Sequence, residues 1–181
     1  MLYGALKMRL ERMTYRTDWM MLAKNVALGI LLVFATVLVA AGEADVLTLV
    51  PQEYRSVVAD ALTMAGKNTR EFKMALQNAT RQERKGVAFL IANMPRRDLR
   101  SLKSGFLLDQ VRLAYQVRKD VPWGAQIPED IFLNDVLPYA NFNEPRDNWR
   151  PDFTRRFLAT AKEAGSIEKA ALKLNFFAFS E

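Results

Sequence analysis

The chain contains no cysteine and no histidine among its 181 residues. Without thiols there is no disulfide framework and no thiolate metal site, and without imidazole the usual proton shuttle near neutral pH is gone. Ser-His-Asp and Cys-His arrangements are excluded with them, and only oxygen donors for a hard cation remain. A glycine-rich phosphate loop and a dinucleotide fingerprint are also missing. No cofactor and no metal is therefore expected. Carboxylates, arginines and tryptophans are left to carry any chemistry.

Charge of one sign is in modest excess, a formal +6. Lys7, Arg9, Arg12, Arg16 and Lys24 stand against Glu11 and Asp18 in residues 1–24, so half of the excess lies in this basic flank. The rest is dispersed, with no run of Lys and Arg interleaved with aromatics. No nucleic-acid partner is expected.

The flank precedes NVALGILLVFATVLVAAG, residues 25–42, which carry no charge and belong in a membrane. A basic flank is retained on the cytoplasmic side, which places the body of the chain in the extracytoplasmic space, periplasmic or secreted. Val39-Ala40-Ala41 and Gly42-Glu43-Ala44 offer small-residue cleavage sites, so a cleaved signal and an uncleaved anchor are both open. A buried core helix fits less well, because Lys24, Glu43 and Asp45 bracket the segment.

From Pro51 onward the periodicity is helical, with no sustained strand alternation, internal repeat or low-complexity tract. Tyr54, Val57, Val58, Ala61, Leu62 and Ala65 form one stripe between Pro51 and Gly66. Asn68 and Glu71 have the spacing of a capping box for a second helix, with Phe72, Ala75, Leu76 and Ala79 on its inner face. Gln82 to Met94, which contains GVAFLIANM, is apolar on nearly all sides and its centre should be the most buried part of the body; Pro95 ends it. Asp98 is placed to cap a long helix broken near Gly105. Lys119 to Ile127 reads as a loop, and Pro128 opens a short helix through Val136. After an irregular Pro138–Arg150 region come helices over Pro151–Ala164 and Ser166 to about Phe177, separated by Gly165. The expected fold is all-α: an irregular multi-helix array over residues 45–181, preceded by one N-terminal hydrophobic helix.

Polar and aromatic residues concentrate between Pro122 and Arg150. This stretch holds Trp123, Glu129, Asp130, Asn134, Asp135, Tyr139, Glu144, Arg146, Asp147, Trp149 and Arg150. One reading makes two carboxylates, Glu129 and Glu144 among them, an acid and base pair for glycoside hydrolysis, with the aromatics as sugar platforms. The stronger reading is structural. Glu129 and Asp130 suit a helix N-terminus, Asn134 and Asp135 the end of the same helix, and Glu144, Arg146, Asp147 and Arg150 a network fastening a long loop. Elsewhere, Arg96, Arg97, Arg100 and Lys103 could face an anionic partner or simply solvent. Asn78-Ala79-Thr80 matches a glycosylation pattern that is common by chance.

The strings FLIANMPRRDLRSL, FLLDQVRLAYQ and PWGAQIPEDIFLNDVLPYANFNEPRDNWR, with the later F…AA.KLN, run from Glu83 to Asn175. This half of the chain resembles the helical region that precedes the catalytic core of bacterial secreted transglutaminase-like superfamily proteins. That resemblance implies a papain-like Cys-His-Asp core performing acyl transfer or amide hydrolysis downstream. This chain lacks two of the three residue types, so no catalytic residue carries over. The resemblance implies a non-catalytic accessory domain, either a chain truncated before its core or a standalone module, with such a core as its partner. The alternative is a membrane-anchored binding or scaffold protein that presents Trp123, Tyr139 and Trp149 to a peptide or glycan.

Overall fold

The computed structural model describes residues 45–141 and 144–179. The basic flank and the apolar segment 25–42 lie outside the described residues. Among the described residues there is no strand, and no helix is long and apolar enough to cross a membrane.

Helix α1 spans Arg55–Ala65 and is entered through a 3-10 turn at Gln52–Tyr54. Val58, Ala61, Leu62 and Ala65 are buried as their spacing predicts, whereas Val57 faces solvent. The stripe is thus narrower than the count of apolar residues implied, because Val57 sits a full 100° step around the helix from Val58. Gly66 ends α1 at φ 58°, a conformation that a side chain would strain.

Helix α2, Thr69–Asn78, buries Phe72, Ala75 and Leu76. The expected Asn68–Glu71 capping box does not form. Both side chains reach across to the junction between helix α4, the single turn Arg96–Leu99, and helix α5, Ser104–Asp120. Asn68 Nδ2 donates to the carbonyls of Leu99 (3.1 Å) and Leu102 (2.9 Å). Glu71 Oε2 accepts from the backbone N–H of Ser104 (2.9 Å) and from its hydroxyl (3.0 Å). The end of α4 exposes orphan carbonyls and the start of α5 orphan amides, and the entry of α2 supplies one partner of each kind. A box of the expected type occurs one helix later. Thr80 N–H donates to Glu83 Oε2 at 2.8 Å and Glu83 N–H to Thr80 Oγ1 at 3.3 Å, capping helix α3, Glu83–Asn93.

Hydrogen bonds from Ser104, the backbone one first, hold the Glu71 carboxyl below its ordinary value of 4.5. Its contribution to stability is therefore present in full above that value and is lost as pH falls through the lowered folded-state pKa. Urea unfolding should show a smaller loss of stability between neutral pH and about pH 3 in Glu71→Gln than in the parent chain. Equal losses in the two proteins would refute this role for Glu71.

Helix α3 buries Val87, Ala88, Leu90 and Ile91, the most continuously covered segment, as expected. Gly86 lets it approach α5, since a Cβ there would lie 2.8 Å from Cε2 of Tyr115. Helix α5 is the centre of the array, packing on α2, α3 and the later helix α7. Gly105 lies within the first turn of α5, so the break falls before it, at Arg100–Lys103. Helix α6 begins as a turn at Glu129–Ile131 and continues as a π-helix over Phe132–Val136. Helices α7, Arg150–Glu163, and α8, Ile167–Phe179, form a hairpin around Gly165 at φ 74°. The main core runs from Val46 to Tyr139; the buried Ala161, Ala164 and Ala170 of the hairpin lie outside it.

Candidate functional site

Three arginines organise the segment from Pro122 to Arg150. Arg118, near the end of α5, donates to the carbonyls of Gly124 (3.3 Å) and Ile127 (2.7 Å) and to Glu129 Oε2 (2.7 Å). Its guanidinium carbon lies 4.3 Å from the centroid of the Phe132 ring. Lys85 approaches the other Glu129 oxygen at 3.7 Å. Glu129 therefore combines its helix N-terminal position with an ion pair across elements.

The second centre is Asp98, 1% exposed. Its Oδ2 accepts from the Tyr139 hydroxyl and from Arg146 Nε, both at 2.8 Å. Asp98 is thus no helix cap; it is the acceptor that holds the loop. Its Oδ1 has no hydrogen-bond partner among the described residues, with Arg97 Nε 3.6 Å away. Burial, then the bond to Asp98, raises the Tyr139 phenol above its ordinary pKa, so it stays protonated and donating. Arg146 also donates through Nη1 to the carbonyl of Glu144. The Glu144 carboxylate turns back on Asn141, accepting from its N–H (2.8 Å) and Nδ2 (3.1 Å), and these bonds hold its pKa below the ordinary value.

Arg150 is the third. It donates to Gln110 Oε1 (3.1 Å) and to the carbonyls of Val136 (3.2 Å), Leu137 (3.1 Å) and Pro138 (2.9 Å). A guanidinium here meets the orphan carbonyls and negative dipole end of the π-helix. Burial pushes it down to about 10, which leaves it cationic at neutral pH. Gln110, fully buried in α5, also donates to Asn148 Oδ1 at 2.7 Å.

Of the residues singled out in the sequence, Glu129, Tyr139, Glu144, Arg146, Trp149 and Arg150 enter this fastening. Trp149 Nε1 donates to the Tyr139 carbonyl at 2.8 Å, and Trp123 Nε1 to that of Ala161 at 3.3 Å. Asn134 serves only its own helix, donating to the Asp130 carbonyl at 2.8 Å. The exposed carboxylates of Asp130, Asp135 and Asp147 join no bond among the described residues, so Asp147 is not part of the loop network. The sequence did not single out Gln110, Arg118 or Asn148 and read Asp98 only as a helix cap, because nothing local marks the partners of Asp98, Gln110 and Asn148 some 38 to 48 residues away, nor the turn that brings Gly124, Ile127 and Glu129 back onto Arg118.

No protein-family model, curated protein or solved structure matches the chain. A cleft lined by Gln82, Tyr115, Arg118, Lys119, Pro122 and Glu129 has Glu129 as its single carboxylate, already engaged by Arg118. Glycoside hydrolysis needs two facing carboxylates, which this cleft does not offer. Tyr139 is buried, so Trp123, Tyr139 and Trp149 do not form one open platform.

Proposed function

We propose that this chain is a non-catalytic helical accessory domain, brought to the extracytoplasmic side of a membrane by residues 25–42, that docks on a transglutaminase-like catalytic core. The observation that carries the reading is helix α8. Its inner face meets α7 through Ala170 and Phe177, the latter edge-to-face with Phe157 at 5.6 Å. Its opposite face carries Leu172, Phe176 and Phe179 at the spacing of one stripe, exposed by 71, 76 and 83%. A helix apolar on both sides is the pattern of one buried between two bodies. The missing cysteine and histidine, and ionic groups spent on the domain's own loop, support an assisting role.

A photo-crosslinking amino acid at Phe176 of the full chain, expressed in its source cell, tests this. The expected product is a crosslink to a polypeptide that mass spectrometry shows to carry a Cys-His-Asp transglutaminase-like core. Crosslinks confined to lipid or to a second copy of the chain overturn the docking. For the location, a reporter enzyme active only outside the cytoplasm is expected to work when fused after Glu181; an inactive fusion overturns it.

A further inference from the structure

Between α5 and the α7–α8 hairpin the packing leaves a cavity of about 260 Å³. It exceeds the roughly 150 Å³ apolar cavity that accommodates benzene. Its walls include Val117, Trp123, Trp149, Phe157 and Leu158, and among the described residues that line it Thr154 and Arg150 bring a hydroxyl and a charge. Water finds few hydrogen-bond partners against such walls, whereas an apolar occupant restores the contacts that a void forfeits.

Shape and charge narrow the occupant. The α7 wall runs from Arg150 through Thr154 and Leu158 to Ala161, about 16 Å along the helix at 1.5 Å per residue. Arg150 stands at one end of that wall and is the charged residue among the lining. Arg150 is 7% exposed, and among the described residues no carboxylate pairs with it. Its four hydrogen bonds engage neutral oxygens and account for four of its five N–H donors. Neutral acceptors satisfy the donors and leave the charge without a counter-ion.

We infer that this cavity binds a single unbranched acyl chain bearing a free carboxylate, the carboxylate at Arg150 and the chain laid along α7 toward Ala161. The reading is independent of docking on a catalytic core, since the cavity and the outer stripe of α8 are different surfaces.

Two of the chain's three tryptophans, Trp123 and Trp149, line the cavity and report on it. The full chain with Trp19→Phe, in lipid nanodiscs, is titrated with a decanoate brominated at its terminal carbon, a contact quencher of indole fluorescence. Saturable quenching is expected, and the methyl ester of the same acid should bind at least about tenfold more weakly, a difference of about 1.4 kcal/mol. Ala161→Leu and Leu158→Phe, which fill the space, should each abolish the saturable component while keeping the parent's helical circular dichroism. Should either variant misfold, the acid and ester comparison on the unaltered wall still decides. Quenching that rises linearly without saturation, persists in a folded filled variant, or is as strong for the ester overturns the inference. Saturation by the acid but not by bilayer phospholipid brominated in its acyl chains identifies the free acid as the source; quenching by the phospholipid alone overturns the role of the carboxylate.

Discussion

Replacing Asp98 by alanine is expected to lower the free energy of unfolding by about 3 kcal/mol and to open the segment from Pro138 to Trp149 to protease. The carboxylate is 1% exposed and receives two donors at 2.8 Å, the Tyr139 hydroxyl and Arg146 Nε. Its removal leaves a partly buried guanidinium and a buried phenol without their acceptor, and an orphaned charge is the costlier of the two. The described residues of this segment have no regular secondary structure, and apart from the Asp98 contacts they are tied to the body mainly by side-chain bonds at its two ends, Arg150 to the Pro138 carbonyl, Trp149 to the Tyr139 carbonyl and Gln110 to Asn148. Tyr139→Phe removes the phenol donor alone and should cost about 1 kcal/mol. Urea unfolding at neutral pH measures both, and limited proteolysis followed by mass spectrometry locates the first cut. A fully stable Asp98→Ala protein, with its first cut elsewhere, would show that Trp149 and Arg150 suffice to hold the loop.

Gly124→Ala is the second large effect. A Cβ at this position would lie 1.7 Å from the Arg118 carbonyl oxygen and 2.7 Å from its carbon. Both are backbone atoms of α5 and cannot swing aside, so the turn must move. Moving it breaks the Arg118 clamp on the Gly124 and Ile127 carbonyls and on Glu129. A loss of about 3 kcal/mol, the upper end for overpacking a tight site, is expected in urea unfolding. Gly105→Ala is the matched comparison. Gly105 lies in the first turn of α5 with nothing within 4 Å of an added Cβ, and the exchange should raise stability by about 0.5–1 kcal/mol through helix propensity. If the two substitutions had equal effects, the close approach of Gly124 to Arg118 would not be what governs the turn.

By itself the sequence determined the helical class of the described residues, the burial of the centre of the Gln82 to Met94 segment, and the stops at Gly66, Pro95 and Gly165. These are local properties. A stripe is set by residues three or four apart, and a stop by one residue's own backbone freedom. It also marked Glu144, Arg146 and Arg150 as loop fasteners, from their composition. Only the tertiary structure decided what they fasten to. Arg146 meets Asp98 across 48 residues, Tyr139 meets it across 41, and Arg150 meets Gln110 across 40. The same holds for Asn68 and Glu71. Their spacing fits a local cap, yet the unsatisfied groups of α4 and α5, some 31 to 34 residues on, claim both side chains. A polar side chain goes to whichever buried donor or acceptor would otherwise be left unpaired, and which groups those are is known only once the helices have packed.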